Sequence, residues 1–118
     1  MVQGIGNDII EISRIKASIE RHGARFLDKL LTKKEQAYCQ KHADPFPSYA
    51  GRFAAKEAIV KALGTGFNGK ITWLDIEIIN DAVGKPEAFL SSPFNARGTI
   101  LVSISHCKQY ASAVALLL

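Results

Sequence analysis

The sequence predicts an α+β fold, a mostly antiparallel sheet packed with about three helices. Residues 2–12 at one end and residues 99–105 and 110–118 at the other are rich in valine, isoleucine and leucine, as strands are. Helix-forming segments occupy the middle of the chain, and strands at both ends around them suggest an α+β domain. The last two strands are separated only by His106-Cys107-Lys108-Gln109 and so form a hairpin.

In chain order, residues 2–12 make a strand interrupted by Gly4, Gly6, Asn7 and Asp8, which predicts a local kink or bulge. Ser13 is placed to cap a helix whose apolar stripe is Ile12, Ile15, Ile19 and Phe26. Thr32-Lys33-Lys34-Glu35 has the form of a capping box and opens a second helix reaching about residue 42, with His22 and His42 read as solvated or capping side chains at helix ends. Asp44-Pro45-Phe46-Pro47 predicts a turn. Residues 51–64 form the third helix, ending at a left-handed Gly64 cap. The glycine-rich residues 64–69 lack the Gly-Lys-Ser/Thr ending of a P-loop and read as a helix exit and hinge. Residues 71–79 alternate as a half-buried strand with Thr72, Leu74, Ile76 and Ile78 on one face, and residues 87–90 continue as a short strand after a turn at Gly84-Lys85-Pro86.

At 118 residues, 47% hydrophobic and 22% charged, the chain is expected to form one domain, 1–118, around a single core. No apolar run approaches the ~18 residues of a membrane span. The start, Met1-Val2-Gln3-Gly4, lacks the features of a secretory signal, so a cytoplasmic location is expected. Cys39 and Cys107 form no metal or redox pair motif and are expected as free thiols. The net charge of +4 is unevenly spread. Between residues 12 and 34 seven basic side chains face only Glu20 and Asp28, so this segment carries the whole excess. If helical geometry survives Gly23, Arg14, Arg21 and Arg25 form a ridge, either a solvated face or a docking surface for an anionic partner.

The helix 51–64 has no simply polar side. A charge on such a helix calls for a partner or a bound ion. Glu57 and Lys61 are either an ordinary i,i+4 surface pair or part of a site that the surrounding alanines leave accessible. Asp8, amid Ile5, Ile9 and Ile10, is either a water-facing strand residue or a second carboxylate of that site, with the glycines making room for a ligand. Two hard oxygen ligands with open positions suit Mg²⁺, which completes its coordination with waters and substrate phosphates. With a lysine alongside, the set fits phosphoryl transfer.

Four ordered motifs go further: Ile5-Gly6-Asn7-Asp8, Phe53-Ala54-Ala55-Lys56-Glu57-Ala58-Ile59-Val60-Lys61, Gly84-Lys85-Pro86 and Ser103-Ile104-Ser105-His106. Together they resemble the 4'-phosphopantetheinyl transferase superfamily across essentially the whole chain. The resemblance implies that family's fold and transfer of phosphopantetheine from coenzyme A to a serine of apo-acyl carrier protein, releasing adenosine 3',5'-bisphosphate, in fatty acid biosynthesis. It implies Asp8 and Glu57 as Mg²⁺ ligands and Lys61 as the group stabilising phosphate charge or assisting proton transfer. Arg52, Lys85, Pro86 and His106 would meet the nucleotide end of coenzyme A, and Arg14, Arg21 and Arg25 would meet the acidic carrier protein. It further implies a homotrimer with sites between subunits, and neither nucleic acid nor membrane as partner. The competing readings are a non-catalytic module that binds an anionic partner through the basic ridge, and a Mg²⁺-dependent phosphohydrolase.

Overall fold

The computed structural model describes residues 1–68 and 70–118. Its elements in order are β1 (Gly4–Glu11), α1 (Ile12–His22), α2 (Ala24–Leu30), α3 (Lys33–Gln40), α4 (Phe46–Leu63), β2 (Ile76–Asn80), β3 (Pro86–Leu90), β4 (Ile100–His106) and β5 (Tyr110–Leu117), with 3₁₀ turns at Trp73–Asp75 and Phe94–Arg97. One sheet has the order β1-β5-β4 and a second pairs β2 with β3, and every pairing is antiparallel. The two ends of the chain therefore meet, and α4 lies across the inner face of the larger sheet, against β1, β5 and β4.

Small residues on both partners set how closely α4 sits. It presents Ala54, Ala55, Ala58 and Ala62 to the core, and β5 presents Ala111, Ala113 and Ala115. On β1 the inward positions alternate as Gly4, Gly6 and Asp8. A Cβ on Gly6 would stand 1.9 Å from the Ala58 carbonyl oxygen, and one on Gly4 would stand 2.0 Å from that of Ala62. These glycines make room for the helix backbone, not for a ligand. The expected kink is also absent: β1 pairs with β5 without interruption from Gly4 to Glu11. Gly6→Ala is expected to cost about 3 kcal/mol or more, because backbone on both sides must separate. Urea unfolding tests this, and a variant within about 0.5 kcal/mol of wild type would show that the approach is not tight.

The structure corrects the sequence reading at several elements. The described residues contain four α-helices, not three, because Gly23 adopts φ 62 and divides the first expected helix into α1 and α2. Ser13 caps nothing. The strand runs straight into α1, Glu11 holds the cap position without a side-chain bond, and the Ile12 N–H donates to the Gln109 carbonyl of the adjoining hairpin turn at 2.9 Å. Helix α4 starts earlier than expected, at Phe46, because Pro47 is tolerated in a first turn whose N–H groups lack helical partners. Its Gly64 cap is left-handed as expected, φ 76. Of the glycine-rich segment after it, Gly69 lies outside the described residues. Residues 71–79 are not one strand. Asp75 accepts the Thr72 N–H at 2.7 Å, folding Trp73–Asp75 into a 3₁₀ turn that leaves Leu74 49% exposed, so β2 starts only at Ile76.

The capping box of α3 forms as predicted and then does more. Glu35 accepts the Thr32 N–H at 2.9 Å, and the Thr32 hydroxyl oxygen accepts the Glu35 N–H at 3.2 Å. The same carboxylate, fully buried, also accepts the Ile78 N–H at 2.9 Å and the Lys56 ammonium at 2.7 Å. Lys56 donates as well to the carbonyls of Leu30 at 2.7 Å and Trp73 at 3.0 Å. One ion pair thus ties α2, α3, α4, β2 and the 3₁₀ turn together. Both thiols are free. No described helix is long and apolar enough to cross a membrane.

Candidate functional site

Helix α4 buries most of its surface within the chain, and what remains open is informative. Lys61 is exposed, and Phe53 and Glu57 are half-buried, so one strip along i, i+4 and i+8 stays accessible. Asp8 belongs to the same place. The Lys61 ammonium bonds its carboxylate at 3.1 Å and the Asn7 carbonyl at 2.9 Å. Lys61 therefore turns to the strand, not to Glu57 as a plain i,i+4 pair would. Register explains this: Asp8 follows Gly4 and Gly6 on the inward side of β1, where the close approach of α4 brings Lys61 over the strand.

The Asp8 charge burdens Glu57. Burial pushes the Glu57 carboxyl above the usual range, the Asp8 charge adds to the shift, and Lys61 opposes it. Two carboxylates and one lysine in a half-buried spot form a hard-oxygen site that a cation would relieve. Among the described residues no three His, Cys, Asp or Glu side chains gather, so the protein offers no closed cage. A divalent cation held here would take other ligands from water or substrate, as Mg²⁺ does. The residues present fit that ion. Beside them Phe53 stacks on Trp73 at 5.0 Å, and Trp73 stacks on Phe67 at 4.0 Å, giving the strip an aromatic wall.

The other candidates gather elsewhere. Arg52, Pro86 and His106 line a cleft of about 250 Å³ together with Tyr38, His42, Ser48 and Asn80. Arg52 is only 3% exposed. Its guanidinium donates to the Ile78 carbonyl at 3.3 Å and to the Asn80 side-chain oxygen, and lies 4.4 Å from the Tyr38 ring centre. Lys85 is not in this cleft and borders a separate groove between β3 and β4. Glu57 lies five positions after Arg52, which turns their side chains about 140° apart around α4. The cleft and the carboxylate pair thus open on different sides of the helix within one chain.

Arg14, Arg21 and Arg25 are all exposed. Arg14 and Arg21 share a face of α1, whereas Arg25 lies beyond the break at Gly23, so the ridge is continuous for two of the three. The rest of the basic segment is partly engaged: Lys33 pairs with Asp28 at 2.8 Å, and Lys16 lies 5.3 Å from the Phe46 ring centre. His42, expected near a helix end, has its Nδ1 3.2 Å from the Cys39 carbonyl.

Sequence reasoning missed Tyr38, His42, Ser48 and Asn80 as walls of the cleft, because they come from α3, the turn after it, α4 and β2 with no shared motif. It also missed Lys56. Its signal was available: the rule that a charge on an all-round buried helix needs a partner describes Lys56 better than Glu57 or Lys61.

Fold and site together define a class, a small α+β protein that concentrates two carboxylates and a lysine at a strand–helix junction, with an arginine-floored cleft on the other side of the same helix. Residues 4–115 match the 4'-phosphopantetheinyl transferase superfamily. A relative in Protochlamydia amoebophila, "Holo-[acyl-carrier-protein] synthase", is 56% identical over 118 residues, covering 98% of this chain and 97% of its own. Among solved structures, the holo-[acyl-carrier-protein] synthase of Neisseria meningitidis superposes with a TM-score of 0.90 at 32% identity, covering 100% of this chain and 99% of its own. That of Helicobacter pylori, solved in complex with coenzyme A, superposes at 0.89 and 34% identity, covering 97% and 99%. The chain belongs to the 4'-phosphopantetheinyl transferase superfamily.

Proposed function

We propose that this chain is a holo-acyl-carrier-protein synthase, one domain over 1–118, that moves 4'-phosphopantetheine from coenzyme A to a serine of apo-acyl carrier protein for fatty acid biosynthesis. The observation that carries this reading is the convergence of Asp8, Glu57 and Lys61, drawn from two of the family's motifs, at one strand–helix junction. In the reaction the serine hydroxyl gives up its proton to solvent as its oxygen bonds to the phosphorus that bears pantetheine, and the bond from that phosphorus to the bridging oxygen of the pyrophosphate breaks. Adenosine 3',5'-bisphosphate leaves with the bridging oxygen. Asp8 and Glu57 would hold Mg²⁺, and the ion would supply charge that offsets that of the pyrophosphate. Lys61, anchored on Asp8 and the Asn7 carbonyl, keeps an ammonium next to the phosphate charge that develops at the departing oxygen. The cleft of Arg52, Pro86 and His106 receives the nucleotide end, with Lys85 at its border.

A homotrimer completes this reading. The burial of α4 within its own chain removes one argument for it, but the outer face of the larger sheet supplies another. Ile5 and Ile9 are 66% and 65% exposed, Leu101 is 46% and Val114 is 39%, and Leu116 lies between Ile5 and Leu101 in register. An apolar sheet face of that kind fits a second copy of the chain. Assembly would also bring the cleft of one copy to the carboxylates of another, which a single chain keeps on opposite sides of α4. A cytoplasmic location belongs to the same proposal, since a reducing compartment keeps Cys39 and Cys107 as thiols.

The deciding experiment incubates the protein with coenzyme A, Mg²⁺ and apo-carrier protein and weighs the carrier. Gain of one phosphopantetheine is expected, with native mass spectrometry of the enzyme giving three chains. An unmodified carrier with coenzyme A intact would favour a non-catalytic module, coenzyme A consumed without carrier would favour a phosphohydrolase, and a monomer would remove the shared site. Arg14→Glu is expected to raise KM for the acidic carrier roughly tenfold at low salt, with coenzyme A binding unchanged, because surface charge acts mainly on encounter. Equal carrier kinetics at low salt would remove Arg14 from the docking surface.

A further inference from the structure

Arg52 is a floor of the cleft more than a free hand within it. Its guanidinium is committed to the Ile78 carbonyl, to Asn80, to the Tyr38 ring and, at 3.5 Å, to the Ser48 hydroxyl. Its Nε is buried without a partner. The connection through Asn80 continues outward, where the Asn80 side-chain nitrogen donates to the Gly84 carbonyl at 2.9 Å. Gly84 belongs to the turn that carries Lys85 and Pro86. That turn is braced from its own side by Asp81, whose carboxylate accepts the N–H groups of Val83 and Lys85, each at 2.9 Å. With both Lys85 backbone groups taken up by Asp81, the tie from Asn80 to Gly84 links the turn to α4.

We propose that Asn80 is a positioning residue that fixes the Gly84-Lys85-Pro86 turn to Arg52, and that this link sets the affinity of the cleft for the nucleotide end of coenzyme A. The inference rests on the functional reading above. An amide is the side chain that can serve here, because it accepts from a guanidinium with one atom and donates to a carbonyl with the other. Asn80→Ala breaks the link at both ends. Asn80→Asp keeps the acceptor for Arg52 and loses the donor to Gly84. Arg52→Lys keeps a cation and loses the fork.

The test measures binding of adenosine 3',5'-bisphosphate and of coenzyme A by calorimetry, together with KM and kcat. Asn80→Ala is expected to weaken binding of both about tenfold, the loss of one well-placed hydrogen bond. KM for coenzyme A rises in step, kcat at saturation stays within about twofold, and KM for the carrier protein does not move. The Val83 and Lys85 amides should exchange with solvent faster in Asn80→Ala and in Asn80→Asp, which also separates loosening of the turn from a change of charge. In a double-variant cycle, Arg52→Lys combined with Asn80→Ala should bind little worse than the weaker single variant, because both cut one chain. Multiplying losses, or binding unchanged in Asn80→Ala, would overturn the link. If Arg52→Lys does not fold, Asn80→Ala binding and amide exchange decide alone. Wild-type protein that binds neither nucleotide would instead overturn the functional reading.

Discussion

Glu57→Gln is expected to lower transfer of phosphopantetheine by about a thousandfold or more while leaving the protein at least as stable as wild type. The two halves of this expectation have one cause. Glu57 is half-buried beside Asp8, and both burial and its neighbour's charge push its carboxyl above the usual range, with Lys61 only partly compensating. The carboxylate is therefore carried at a cost to the folded chain, as charges kept for binding and catalysis often are. Glutamine keeps the shape and removes the charge, so the fold should not suffer. The reaction should, because a divalent cation held by Asp8 alone would bind more weakly and offset less of the pyrophosphate charge, and about 4 kcal/mol corresponds to a factor near a thousand. Carrier mass gain against time and the midpoint of thermal unfolding are the two readouts. Mg²⁺ should raise that midpoint in wild type and much less in the variant. A Glu57→Gln protein with near-wild-type turnover would sink the assignment of this site.

Lys56→Met, one position earlier in sequence, is expected to do the reverse and strike stability first, by about 3 to 5 kcal/mol. Lys56 and Glu35 are both fully buried and meet at 2.7 Å. Burial pulls the Lys56 ammonium below its ordinary range and the charge of Glu35 pushes back, so the pair survives on mutual compensation and on the carbonyls of Leu30 and Trp73. Removing the lysine leaves a buried carboxylate facing two carbonyl oxygens. Urea unfolding should show the loss, and Lys56→Met with Glu35→Gln should recover part of it, since the uncompensated charge is then gone. A loss below about 1 kcal/mol would mean that water reaches the pair. The exposed pair Lys33–Asp28 offers the contrast, with side chains 83% and 47% accessible. Its removal should leave the urea unfolding midpoint essentially unchanged.

These neighbours on one helix illustrate what the sequence could convey. Lys56 and Glu57 differ by one position, about 100° around α4, and that rotation separates a structural charge from a site charge. The motif named both residues together and periodicity placed them on a helix, but neither revealed which face would be covered. The same limit applies to Gly4 and Gly6. Their presence in a strand announced a close approach, and the strand alone could not tell whether a ligand or a helix backbone would come near. Arg52, Pro86 and His106 were each picked out from a motif, while their cleft-mates Tyr38 and Asn80 come from a helix and a strand with no local signature.

By itself the sequence determined the α+β class, the hairpin at its end, the capping box at Thr32, the left-handed stop at Gly64, and the four motifs that mark the family, since these depend on residues near one another in the chain or on fixed local conformations. Only the tertiary structure decided that Gly23 divides a helix, that Lys61 reaches Asp8 and not Glu57, that Lys56 is neutralised from α3, and that the cleft and the carboxylates open on different sides of α4. Those outcomes depend on which faces pack together, and packing is fixed by contacts between residues far apart in sequence.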